Sequence, residues 1–97
     1  MTANSERGVI RRRVVFSGRV QGVCFRMISQ ELSHGHDVVG YVRNLPDGRV
    51  ELEAEGATAA VDGFLEAVQT RFSGNITDAA QTPLESRGDE REFQIRY

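Results

Sequence analysis

The stretch Gly-Arg-Val-Gln-Gly-Val-Cys-Phe-Arg, from Gly18 to Arg26, separates a strand-like run from a helix-like run. Its two glycines, Gly18 and Gly22, allow a tight loop that leaves backbone N–H groups uncovered. The loop opens a helix, so the free N–H groups of the first turn and the helix dipole favour a negative charge there. Arg26 lies in that turn, with a planar guanidinium that fits a phosphate or a carboxylate. The stretch therefore predicts an anion site.

Hydrophobic patterns on both sides of this loop predict the neighbouring elements. The run Ile10 to Ser17 is rich in β-branched residues and predicts a strand. From Cys24 to His34 apolar residues recur at helical spacing, and Gly35 is suited to ending that helix. A second strand is predicted from Asp37 to Asn44. In the turn Leu45-Pro46-Asp47-Gly48 that follows, proline presets φ and glycine takes the left-handed position.

The second half of the chain predicts a strand, a helix and two further strands. Along the first of these strands apolar residues alternate with carboxylates. The apolar side chains are Val50, Leu52 and Ala54, and the carboxylates are Glu51, Glu53 and Glu55. The carboxylate face is expected to meet water. A helix is predicted from about Ala57 to Phe72, then a short strand within residues 76–84. A charged loop, Ser86 to Arg91, leads to a final alternating strand with Phe93, Ile95 and Tyr97.

The order of these elements indicates the fold. It is β-α-β-β-α-β, with an additional C-terminal strand left open, and this order is typical of the α+β, ferredoxin-like architecture. Both helices are expected on one face of an antiparallel sheet. Residues 1–8 predict a polar tail, and residues 9–97 predict a single domain.

Composition narrows the class of protein. With 39% hydrophobic and 27% charged residues, the chain is typical of a folded globular domain. A net charge of −2 argues against a broad nucleic-acid surface. No apolar run approaches the roughly 20 residues of a membrane helix, and the polar start is not a secretory signal, so no membrane partner is expected. The lack of an obvious large apolar surface patch predicts a monomer.

The few cysteine and histidine residues predict a cytoplasmic protein without a zinc site, and no cofactor is expected. Cys24 has no second cysteine to pair with, and His34 and His36 are too few to complete a zinc site with it. No base is apparent that would activate Cys24 as a nucleophile, so a small packed side chain is expected there. The consecutive residues 11–13 are all arginine and alternate between faces of the first strand, which favours a solvated strand with Arg–Glu pairs over a basic patch.

Two motifs make the chain resemble the acylphosphatase family. The first is the stretch Gly18 to Arg26, and the second is Gly40-Tyr41-Val42-Arg43-Asn44. Further matches at the family's intervals are Gly48, Val50 and Gly56. The resemblance spans residues 16–56, and the rest of the chain agrees in pattern alone. Phe16 stands where the family usually has an aliphatic residue, and Ile76 to Arg91 does not align.

The resemblance implies hydrolysis of the carboxyl–phosphate bond of small acyl phosphates by residues 9–97, without metal or covalent intermediate. Arg26 corresponds to the family's phosphate-binding arginine, and Asn44 to the asparagine that positions the attacking water. The expected partners are the acyl phosphate and inorganic phosphate. The residues whose backbone N–H groups are predicted to wrap the phosphate are Val20, Gln21, Gly22, Val23, Cys24, Phe25 and Arg26.

Two other functions suit the same fold. One is an RNA-binding module, but exposed Glu51, Glu53 and Glu55 on a central strand would repel phosphates, and the usual RNA-binding sequence pattern is absent. The other is a non-catalytic anion-binding module. Asn44 argues against it, because binding alone needs no positioned water.

Overall fold

The computed structural model describes residues 8–97, so the predicted tail lies outside the described residues except for Gly8. Two helices pack on one face of a five-stranded sheet, which confirms the ferredoxin-like α+β class and the additional strand. The elements in chain order are β1 (Val9–Gly18), α1 (Phe25–Ser33), β2 (Val38–Asn44), β3 (Val50–Ala57), α2 (Thr58–Arg71), β4 (Ile76–Leu84) and β5 (Phe93–Arg96). Neither described helix is long and apolar enough to cross a membrane.

The strand order in the sheet is β4-β1-β3-β2-β5. The first four strands are antiparallel to their neighbours, whereas β5 pairs with β2 in parallel, so the complete sheet is mixed. The predicted short strand within residues 76–84 fills that whole range as β4. Because β4 and β5 lie at opposite edges, the connecting residues 85–92 must cross the sheet.

The hydrophobic core lies between the sheet and the helices. Alternation along β1 and β3 turns their apolar side chains toward α2, where a helical stripe meets them. These fully or almost fully buried residues are Val14, Phe16, Leu52 and Ala54 of the sheet and Val61, Phe64, Leu65 and Val68 of α2. Burial of each larger side chain contributes about 1.5–3 kcal/mol.

The opposite, helix-free side of the sheet differs from the expectation. The expected exposure of the β3 carboxylates is wrong, since Glu51 and Glu55 are only 4% and 5% exposed. The predicted Arg–Glu pairs are confirmed, but the expected solvation is wrong at Arg11, which is 1% exposed and bonds Glu53, Glu55 and Glu90 at 2.7, 2.9 and 2.6 Å. These carboxylates are charge-compensated, so repulsion of RNA by an exposed acidic strand is no longer an argument.

We call this side the ionic face and define it by Arg11, Arg13, Tyr41, Arg43, Glu51, Glu53, Glu55 and Glu90. The crossing segment covers part of it, with the N–H groups of Arg87 and Gly88 donating to the Glu55 carboxylate at 2.7 and 3.0 Å. Burial alone would raise the pKa of Glu55, but these hydrogen bonds and Arg11 outweigh it and hold the pKa below its usual value. The burial of Glu51 and Glu55 could not be predicted from the sequence, because residues 85–92 have no pattern that indicates where they cross the sheet.

Candidate active site

The loop between β1 and α1 is anchored to the rest of the fold on both sides. At its start the Arg19 N–H donates to the carbonyl of Asn75 at 2.9 Å. Gly18 has φ +117°, and a Cβ there would lie 2.3 Å from the same carbonyl oxygen, so this close approach requires glycine. At its end Phe25 is buried against Phe72, with ring centroids 4.3 Å apart. The loop between these points is therefore held in one place.

The backbone of this loop leaves donors uncovered. Among the described residues, the N–H groups from Val20 to Cys24 have no hydrogen-bond acceptor. Gly22 has φ +79° and Cys24 has φ 61°, so the chain passes through the left-handed region twice just before α1 begins at Phe25. Successive backbone N–H groups in such a turn form a concave anion site. This concavity is where the sequence predicts the anion site.

Cys24 is exposed, and the expectation of a packed side chain is wrong. It directly precedes α1 in a left-handed conformation, and the next residue, Phe25, takes the inward position in the core. A non-glycine residue in this conformation carries a backbone cost of roughly 1–2 kcal/mol. Cys24 thus lies at the rim of the loop.

Arg26, in the first turn of α1, is half-buried and faces the last strand. Its Nη1 donates to the carbonyl of Arg96 at 3.2 Å, and its guanidinium carbon lies 4.6 Å from the centroid of the Tyr97 ring. Within residues 8–97 no carboxylate forms an ion pair with Arg26. A carbonyl and an aromatic ring orient this guanidinium without neutralising its charge.

Asn44 is the last residue of β2 and is half-buried. The turn after it is closed by the Leu45 N–H, which donates to the Arg49 carbonyl at 2.8 Å, and Gly48 has φ +96° as the turn signal predicted. The side chain of Gln21 reaches this turn and donates to the carbonyls of Leu45 and Arg49 at 2.8 and 3.0 Å. The β1–α1 loop and the β2–β3 turn are thereby connected.

One cleft of about 410 Å³ brings the predicted site residues together. It is lined by Arg26 and Asn44 and by Val20, Gly22, Cys24 and Phe25 of the predicted phosphate-binding segment. Gln21 and Val23 do not line it, since Gln21 reaches the β2–β3 turn and Val23 packs against the core. Among the described residues, no group of three or more His, Cys, Asp or Glu side chains is placed to hold a metal ion.

The cleft also contains residues that the sequence analysis did not identify. Its remaining lining is Met27, Gln30, Ile95 and Tyr97, two of which belong to or follow β5. The alternation of Phe93, Ile95 and Tyr97 indicated a strand, but no local signal indicated that this strand would pair with β2 beside the cleft. The part of the apolar wall formed by Ile95 and Tyr97 therefore comes from a long-range pairing.

The chain is similar to known acylphosphatases in both sequence and structure. The acylphosphatase family model matches residues 12–95. The chain is 40% identical over 89 residues to the acylphosphatase of Anaeromyxobacter dehalogenans, covering 91% of this chain and 96% of that protein. The crystal structure of Bacillus subtilis acylphosphatase matches with a TM-score of 0.82 at 39% identity, over 91% of this chain and 99% of the other. An acylphosphatase from Coxiella burnetii matches with a TM-score of 0.80 at 26% identity, over 93% and 95% of the two chains. Because the family model and these relatives match most of its length, this chain belongs to the acylphosphatase family.

Proposed function

We propose that the cleft between the β1–α1 loop and Asn44 is where this acylphosphatase hydrolyses small acyl phosphates to a carboxylate and inorganic phosphate. The observation that carries the assignment is a single cleft containing an uncompensated arginine, uncovered backbone N–H groups and a half-buried asparagine. Family membership supplies the reaction, and the residue roles are our assignment.

The phosphate of the substrate binds to the loop and Arg26. The N–H groups from Val20 to Arg26 surround its oxygens, as a backbone nest does, and the Arg26 guanidinium adds charge-assisted donors. The positive end of the α1 dipole adds to this attraction. Phosphoryl transfer depends chiefly on positioning and on stabilising charge, and these groups supply both.

Asn44 positions the attacking water. Its side chain offers one acceptor oxygen and two donor hydrogens, which suits it to hold a water in line with the scissile bond. The water oxygen forms a bond to phosphorus while the bond from phosphorus to the acyl oxygen breaks, and the bonding pair leaves with the carboxylate. Because an asparagine amide is a poor base, a phosphate oxygen accepts the proton of the water. The carboxylate leaving group is stable enough to need no strong general acid.

The acyl group lies against the apolar side of the cleft. Met27 is 52% exposed and Tyr97 is 99% exposed, although both are large apolar side chains, and Ile95 lies between the core and the cleft. These side chains offer the acyl group apolar contact area and no charged group of their own, so recognition of the acyl group is loose. We further propose a single domain of residues 9–97, acting as a monomer in the cytoplasm. The lone cysteine, Cys24, and the small number of exposed large apolar side chains support this.

Hydrolysis of benzoyl phosphate by the purified protein in excess EDTA tests the proposal. We expect turnover in EDTA, and loss of at least roughly 10²–10³ in kcat/KM for Arg26→Ala, since it removes a preorganised donor and a charge. Asn44→Ala should lower kcat and leave the inhibition constant for inorganic phosphate close to that of the parent protein.

Two outcomes would contradict the assignment. Turnover abolished by EDTA and restored by a divalent metal would contradict the metal-independent reaction. An Asn44→Ala variant that binds phosphate weakly but keeps its kcat would assign Asn44 to phosphate binding and remove its water-positioning role.

A further inference from the structure

We infer that the side chain of Gln21 is a positioning residue for the reaction: it sets the place of Asn44 relative to the bound phosphate. This inference rests on the proposed function of the cleft. Gln21 contributes only its backbone N–H to the predicted phosphate site, and its side chain points elsewhere, to the turn that follows Asn44. The side chain therefore has a role that phosphate binding does not explain.

The contacts of this side chain use all of its donors. Nε2 donates to the Leu45 carbonyl at 2.8 Å and to the Arg49 carbonyl at 3.0 Å. An amide nitrogen has two hydrogens, and each is taken by one of these acceptors. Since both partners are carbonyl oxygens, the NH2 group rather than the amide oxygen must face them. The orientation of the amide is thus determined by its surroundings.

The same two carbonyls also hold the turn itself closed. The Arg49 carbonyl accepts from the Leu45 N–H at 2.8 Å, and the Leu45 carbonyl accepts from the Gly48 N–H at 3.2 Å. Each oxygen thus uses both lone pairs, one within the turn and one for Gln21. A shift of the turn relative to the loop would break two hydrogen bonds from one side chain. In the described part of the chain, no other hydrogen bond joins residues 18–24 to residues 44–49.

The place of this connection matters for the chemistry. Leu45 directly follows Asn44 in the chain. A hydrogen bond to the Leu45 carbonyl therefore restrains the backbone next to Asn44. Gln21 lies within the segment whose N–H groups surround the phosphate. One side chain therefore sets the distance between the phosphorus and the water held by Asn44. In-line attack is sensitive to this distance, and a misplacement of about 1 Å can cost roughly 100-fold in rate.

The test is a double-mutant cycle of Gln21→Met and Asn44→Ala with benzoyl phosphate, measuring kcat and the inhibition constant of inorganic phosphate. Methionine keeps the length of the side chain and removes both donors. We expect Gln21→Met alone to lower kcat by roughly 10- to 100-fold. The inhibition constant for phosphate should change by less than about threefold, which also shows that the loop is folded. In the Asn44→Ala background Gln21→Met should have almost no further effect on kcat, because both changes remove the same positioned water.

Gln21→Glu is a second variant of nearly the same shape. Its carboxylate would place oxygens against two carbonyl oxygens, so its kcat should fall below that of Gln21→Met. Protonation restores one donor, so its kcat relative to the parent protein at the same pH should rise as the pH is lowered. A constant ratio across pH would overturn the donor role.

The failures of the two proposals differ. A slow Asn44→Ala variant in which Gln21→Met still lowers kcat by its full factor overturns this inference alone. So does a Gln21→Met variant that weakens phosphate binding and keeps kcat. If Asn44→Ala turns over as fast as the parent protein, the water-positioning role fails first, and this inference fails with it.

Discussion

The cleft that contains Arg26 and the ionic face that contains Arg11 differ in what surrounds the charge of the arginine. Arg11 is 1% exposed and pairs with three carboxylates at 2.6–2.9 Å. Arg26 has a backbone carbonyl and the ring of Tyr97 as its contacts, and no carboxylate from residues 8–97 pairs with it. The charge of Arg11 is compensated by carboxylates within the fold, whereas the charge of Arg26 remains available to an anion. The same residue type is thus ion-paired within the fold in one place and, in our proposal, binds the substrate phosphate in the other.

The strongest way to test this difference is to replace Arg11 with methionine. Among the described residues Arg11 is the one cation paired with Glu53 and Glu55, so its loss leaves both carboxylates without a counter-charge in a poorly solvated position, whereas Glu90 keeps longer pairs with Arg87 and Arg96 at 3.9 and 3.8 Å. We expect the free energy of unfolding to fall by about 3–5 kcal/mol. Urea unfolding measures it, and benzoyl phosphate hydrolysis by the folded fraction should stay near that of the parent protein. A loss below 1 kcal/mol would mean that solvent already compensates these carboxylates.

The matched substitution in the cleft, Arg26→Met, should give the opposite pair of results. The kcat/KM for benzoyl phosphate should fall by roughly 10²–10³, because a preorganised donor is lost from the phosphate site. Arg26 makes one hydrogen bond to the fold, so the free energy of unfolding should change by no more than about 1 kcal/mol. A destabilisation as large as that of Arg11→Met would show that Arg26 is structural as well, and the contrast between the two arginines would not hold.

Acid should weaken the ionic face before it affects the apolar core. Burial alone would raise the pKa of Glu51, but hydrogen bonds from Arg13, Arg43 and Tyr41 outweigh it and hold the pKa below its usual value, as happens also for Glu55. A carboxyl group whose pKa is lowered by folding contributes stability that is complete above its unfolded pKa, about 4.3. That contribution is lost as the pH falls through the lower pKa of the folded state.

We therefore expect the free energy of unfolding to decrease from about pH 5 downward. Urea titrations at a series of pH values measure this decrease. Glu51→Gln is the matched control, and it should start from a lower stability and show a shallower decrease. Parallel curves for the two proteins would contradict a role of Glu51 in the acid response.

The smallest effect is expected on the helix-covered side, at Ser29 of α1. Its hydroxyl is fully buried and has no hydrogen-bond partner among the described residues. Ser29→Ala should raise the free energy of unfolding by about 1 kcal/mol, because an unsatisfied buried hydroxyl is removed and little volume is lost. Ser33→Ala is the control, since the Ser33 hydroxyl donates to the carbonyl of Gln30 at 2.5 Å and its loss should not stabilise. Melting temperatures of both variants measure the difference. A destabilised Ser29→Ala would point to a partner for that hydroxyl.

Much of the fold could be predicted because it depends on local periodicity. The two-residue alternation of Val50, Leu52 and Ala54 and the 3.6-residue stripe of α2 identify strand and helix wherever the chain later places them. The burial of Glu51 and Glu55 could not be predicted in this way. Alternation shows that they share a face, but whether water or arginine meets that face depends on strand pairing across dozens of residues.

The candidate site also has parts that local sequence predicts and parts that depend on long-range contacts. The positions of Arg26 and Asn44 were contained in two short motifs, because a glycine-containing loop before a helix and a strand ending at a turn are local structures. Their meeting in one cleft, the connection through Gln21 and the wall formed by Ile95 and Tyr97 all required contacts between distant segments. The residue types and their local backbone determine which chemical groups are present. The distance between Arg26 and Asn44, and the fact that Arg26 has no carboxylate partner among the described residues, depend on how the sheet brings distant segments together.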